Sequence, residues 1–234
     1  MWVGLMEALA ATGRRSIAPD LYCLGDSKDP GPATFERNLE AFTEIAAKLA
    51  PGPVALVVHD WGGFIGLAWA SEHPDLVTAL VISDAGFFSD GRWHGIAEAI
   101  RAPGGEKLVE SFDREAFAGL LRADGADFAE ADIEAYWRPF ESGRAREATV
   151  EFYRSMDMEK LAPYDGALEA MAKPTLLLWG EEDSFAPLSG AHRLQREIPG
   201  SELEVVEGVG HFVFDAAPER AIASVTGFLD RVAG

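Results

Sequence analysis

VALVVHDWGG (54–63) decides the architecture. Its first five residues, Val54 to Val58, form a continuous apolar run of the length used by strands buried on both faces of a parallel sheet. A helical pattern from Gly62 to Glu72 follows, so His59, Asp60 and Trp61 lie in a strand-to-helix turn only a few residues long. Such a turn strains the backbone at its apex, Asp60, and the small Gly62 and Gly63 let the helix close on the sheet. Upstream, Phe35, Leu39, Phe42, Ile45 and Leu49 share one face of a helix that starts after Pro32 and stops at Pro51, Gly52 and Pro53. Downstream, strand signals return at 80–82, at Thr175–Trp179 behind Pro174 and at Leu203–Val206, and Pro218 to Val232 reads as an amphipathic helix. Strands alternating with helices predict an α/β fold with a mostly parallel sheet.

Residues 86–173 interrupt that alternation. They carry RAPGGEKLVESF, DREAFAGLL and ADIEAYWRPF, which read as helices joined by Gly and Pro turns without strands between them. The expected organisation is a core of residues 1–85 and 174–234 with a helical cap, 86–173, over the carboxyl ends of the strands, where open α/β sheets bind ligands.

Composition narrows the function. Lys and Arg number 20 against 39 Asp and Glu, a formal charge of −19, so the surrounding field repels phosphate backbones and anionic lipid. Nucleic acid and membranes are therefore not expected as partners. The opening residues carry no leader pattern, no apolar run approaches a membrane span, and the lone Cys23 allows no internal disulfide. A cytoplasmic protein is the expectation. The five histidines, at 59, 73, 94, 192 and 211, show no metal-ligand spacing, and no Gly-rich phosphate loop is present, so neither metal nor cofactor is expected.

Three segments carry candidate chemistry. Asp60 places a carboxylate at the apex of the turn; an Asp at a strand–helix junction is most commonly an N-cap, but a carboxylate there can also attack carbon and leave an ester. TLLLWGEEDSFAP places Asp183 just past a strand, and VVEGVGHFVFDAAPER places His211 in a Gly-containing loop before the last helix. Both emerge at the strand ends where Asp60 emerges, in the chain order nucleophile, acid, histidine.

On VVHDWGGFIGLAWASEHPD, LLLWGEEDSFAP and GVGHFVFDAAPE, the chain resembles α/β hydrolases with an aspartate nucleophile, the epoxide hydrolases and haloalkane dehalogenases. GGFIGL after the turn is similar to certain dehalogenases, whereas YWRPFESGRAREATVEFYRSM is similar to the cap of epoxide hydrolases. The resemblance implies an α/β-hydrolase fold and attack by Asp60 on a small, neutral, apolar organic substrate. His211, oriented by Asp183, then activates water. The backbone N–H of Trp61 is the implied oxyanion donor and its indole a halide donor, while Tyr153 matches the cap tyrosine that protonates an epoxide oxygen. The second cap tyrosine of most epoxide hydrolases has no counterpart over 86–112. Trp93 and Trp137 are candidates for a second halide donor, and His59, Tyr136 and Phe212 for the pocket wall. Epoxide hydrolysis stands slightly ahead of dehalogenation, and a hydrolase-fold binding protein without turnover is the reading from another class. The family's first two strands and its HGxP-type loop have no counterpart before RRSIAPD, so the sheet is expected to lack them, leaving an edge exposed or covered by a partner, as in a homodimer.

Overall fold

In a computed structural model the described residues are 1–28, 31–124 and 128–232. Four strands form one parallel sheet in the order β1 (Val54–His59), β2 (Val77–Ser83), β3 (Thr175–Gly180), β4 (Glu202–Val206). All four sequence signals are strands. β2 begins earlier than its apolar run because Val77 is buried while Thr78 faces out. Among the described residues no strand precedes β1, which is an edge strand.

Strand periodicity divides the core into two layers. On one face Leu56, Val58, Leu80, Ile82, Leu177 and Trp179 pack against α2 (Phe35–Leu49), α3 (Trp61–Glu72) and α10 (Leu188–Glu197). The alternate residues, among them Ala79, Val81, Leu176 and Leu178, pack against α1 (Val3–Ala11), α11 (Val213–Ala216) and α12 (Pro218–Val232). Helix α2 starts where Thr34 accepts a hydrogen bond from the Arg37 N–H, the usual N-cap arrangement. Helix α3 is apolar all round, from Phe64 to Ala70, because β1 covers one side and α2 and the segment before β3 cover the others.

Between β2 and β3 the chain is helical: α4 (Gly95–Arg101), α5 (Gly105–Ser111), α6 (Arg114–Ala123), α7 (Glu130–Trp137), α8 (Gly143–Ser155), a 3₁₀ turn at Met158–Tyr164 and α9 (Ala167–Met171). This insertion has apolar clusters of its own, Ala118, Leu121, Phe128 and Ile133 in one and Ile100, Val109 and Val150 in another. No helix among the described residues is long and apolar enough to cross a membrane.

Candidate active site

Each strand delivers one polar group at its carboxyl end: Asp60 after β1, Asp84 after β2, Asp183 after β3 and His211 after β4. Parallel strands end on one side of the sheet, so residues more than 150 positions apart meet. Asp60 has φ 46° and ψ −120°, backbone that essentially only glycine adopts without strain, and its side chain makes no capping hydrogen bond to α3. The N-cap use of this Asp is thereby excluded. Gly63 permits the sharp turn, since a Cβ there would lie 2.5 Å from the Ala85 Cβ.

His211 is 4 % exposed. Its Nδ1 lies 2.9 Å from Asp183 Oδ2, and its Nε2 faces Asp60 Oδ1 at 3.7 Å, longer than a hydrogen bond. Asp183 Oδ1 accepts from the Phe185 and Ala186 N–H groups, both at 2.8 Å, so this carboxylate is locked by its own loop. The two acids differ in access: the Asp60 side chain is 43 % exposed and that of Asp183 fully buried. A small molecule reaches the first, while the second touches only the imidazole and backbone.

Electrostatics follow from this packing. Partial burial works against charge on Asp60, but the facing His211 ring, the His59 ring and the Trp61 N–H outweigh it and hold the carboxyl below its ordinary value. Burial likewise disfavours a charged His211, yet the Asp183 hydrogen bond and the Asp183 and Asp60 charges raise the imidazole well above the usual histidine range. His59 is pushed down to about 4, by burial first and then by His211. Its Nε2 donates to the His211 carbonyl at 2.8 Å, which assigns it to the support of the histidine loop and not to the pocket wall.

An aromatic cluster stands on the turn. Trp61 is flanked by Phe152 at 3.9 Å, Tyr153 at 5.1 Å and Trp93 at 5.6 Å between ring centres, the last stacked at 24°. The Trp93 indole N–H is buried with no hydrogen-bond partner. The Tyr153 phenol is pushed up by burial and by the Asp60 charge, with a hydrogen bond from Trp61 opposing, so it keeps its proton. Two expected pocket residues lie elsewhere. Trp137 stacks with Phe140 and meets Phe117 at a tilt, under Arg146, and the Tyr136 hydroxyl donates to Asp215, leaving it no free donor. Phe212 lies at 5.2 Å from the His211 ring and also meets Tyr136 and Phe128.

Three carboxylate and ring contacts escape sequence reasoning. Asp84, fully buried at φ 47°, accepts from the Gly180 N–H and lies 2.5 Å from the Ser83 Oγ; burial, with the Asp183 charge, pushes it well above the usual carboxylate range. Its position directly after a strand was the available signal. Asp124 bonds the His211 N–H from the end of α6, and no local pattern marks it. Phe185 meets the His211 ring edge-on at 5.2 Å and His94 at 4.9 Å.

Comparison with known proteins agrees with this fold. A family model described as alpha/beta hydrolase fold matches residues 1–218. A cis-3-alkyl-4-alkyloxetan-2-one decarboxylase of Xanthomonas campestris is 25 % identical over 257 residues, covering 99 % of this chain and 84 % of its own. A haloalkane dehalogenase of Sphingobium indicum is 29 % identical over 260 residues with the same coverage. The crystal structure of a haloalkane dehalogenase from Bradyrhizobium elkani superposes with a TM-score of 0.85 at 23 % identity, covering 99 % of this chain and 86 % of that one.

Proposed function

Because the chain belongs to the alpha/beta hydrolase fold family, we propose that it is a hydrolase working through an ester on Asp60, with a small haloalkane as its substrate class. The buried, unpartnered Trp93 N–H beside the Trp61 indole carries the choice of halide. A buried donor left without a partner costs roughly 1–3 kcal/mol, and a departing halide supplies the missing acceptor. The similarity to dehalogenases over the whole chain supports the same reading.

In the first step an Asp60 oxygen attacks the carbon bearing halogen, the carbon–halogen bond breaks and its electron pair leaves with the halide, held by the indole N–H groups of Trp61 and Trp93. In the second, water adds to the ester carbonyl while His211 Nε2 takes its proton. The Trp61 backbone N–H receives the oxyanion, the alcohol departs with that proton, and Asp60, released as the acid, gives the second water proton to solvent as its carboxylate re-forms. Asp183 keeps Nδ1 protonated, so Nε2 is the acceptor. Residues 86–173 act in this reading as the cap that keeps water from the halide. The field of −19 admits a neutral substrate and disfavours an anionic one.

Epoxide hydrolysis is the second reading, favoured by Tyr153, whose retained proton lies close to Asp60 for an opening ring oxygen. A strained oxetanone, the substrate named for the Xanthomonas relative, is the third member of the panel to test. Turnover of bromoalkanes, styrene oxide and a dialkyl oxetanone in heavy-oxygen water should place label in Asp60, and Asp60→Ala should abolish turnover. Trp93→Phe should lower halide release at least ~10-fold; loss of epoxide turnover in Tyr153→Phe with no halide release from any bromoalkane would reverse the order of the two readings.

A further inference from the structure

Asp124 stands where a carboxylate is least comfortable. It terminates α6, so the negative end of the helix dipole repels it, and it is only 6 % exposed. The other acid bounding this helix, Asp113, occupies the opposite, favourable end and caps it. Two hydrogen bonds offset the cost at Asp124: Oδ2 accepts from the His211 backbone N–H, and Oδ1 accepts from the Ser184 Oγ at 3.2 Å. One side chain of the insertion thus holds both loops that carry Asp183 and His211.

Glycine makes the approach achievable. A Cβ at residue 210 would overlap the Asp124 carbonyl and carboxylate, and a Cβ at residue 180 would overlap the Val209 and Gly210 carbonyls. The end of β3, the histidine loop and the end of α6 are stacked backbone to backbone. With Asp124 in place every polar group of His211 but one has a partner: the N–H has Asp124, the carbonyl has His59, Nδ1 has Asp183. Only Nε2, the atom facing Asp60, is left for chemistry.

We propose that Asp124 is a positioning residue that couples seating of the helical insertion to the orientation of the His211 imidazole. The groups facing its carboxylate are Asp183, His211 and Ser184. Burial and the Asp183 charge raise its titration above the ordinary aspartate value, with the His211 N–H, the His211 charge and Ser184 opposing.

Nitrogen-15 NMR of the histidine-labelled full chain tests this, with His211 assigned through His211→Gln. In the wild type the His211 backbone N–H should shift with an inflection above roughly pH 3.9 that Asp124→Asn removes. The amide of Asp124→Asn still accepts from that N–H, so the ring signals should stay as in the wild type. Asp124→Ala should speed exchange of the Nδ1 proton at least ~10-fold and, where the hydrolase reading on which this arm rests is right, lower kcat about 100-fold with KM unchanged. A wild-type ring spectrum in Asp124→Ala, or a wild-type backbone amide without that inflection, overturns the proposal. Asp124→Asn keeps the acceptor, so loss of the inflection in that variant decides the matter if Asp124→Ala does not fold. Expected NMR changes in a chain that turns over none of the panel would sink the hydrolase reading and leave this one standing.

Discussion

At His211 burial opposes the charged imidazole and two carboxylates favour it, and in the proposed mechanism only one of those carboxylates persists. In that mechanism the Asp60 charge is gone once the ester forms, and the imidazole moves toward a free base at the step that needs one. Asp60→Asn imitates that state. Its His211 should titrate lower than in the wild type, measured by nitrogen-15 NMR against pH, and an unchanged value would show that Asp60 does not set the basicity of the ring. Of the residues gathered at the strand ends, Asp60, Asp183 and His211 were legible because each follows a strand signal and their order is telling. Asp124 was not, because it reaches the site by a tertiary contact at the end of an exposed, charged helix. Trp137 was misplaced for the converse reason, since an aromatic residue in an insertion reads the same whether it faces substrate or its own helices.

Elements that the sheet buries on both sides announced themselves. Continuous apolar runs marked β1 to β3, β4 reads as Leu203, Val205 and Val206 around Glu204, and α2 and α12 showed a clear apolar stripe because solvent covers their other face. Helix α8 was harder to see: its buried face is largely Ala145, Ala148, Val150 and Phe152 among arginines and glutamates, so small residues replace the stripe. The turn between β1 and α3 also has an element-scale requirement. Replacing Gly63 by Ala puts a methyl against Ala85, and relief of that contact means displacing the start of α3, with Trp61 on it. Gly63→Ala should cost about 1–3 kcal/mol, as overpacking does, read by urea denaturation, and should lower kcat by more than Tm alone would explain.

For the whole molecule the titrations of the site groups set an acid limit. His59 is neutral in the fold down to about 4, whereas the unfolded chain takes its proton near 6.5, so stability falls as pH drops through that window. The full loss is about 3 kcal/mol. His211 acts oppositely, its stabilisation complete below 6.5 and lost as pH rises through its raised value. His59→Gln, which can still donate to the His211 carbonyl, should flatten the dependence between pH 4 and 6.5 in urea titrations; an unaltered slope would place the acid sensitivity elsewhere. The same molecule carries its turn apex in a conformation meant for glycine, with Asp60 at φ 46° and ψ −120°. Activity and robustness are therefore in competition at one residue. If Asp60 acts as proposed, Asp60→Gly should be inactive yet more stable than Asp60→Ala by about 1 kcal/mol, so selection for stability alone would erase the proposed nucleophile.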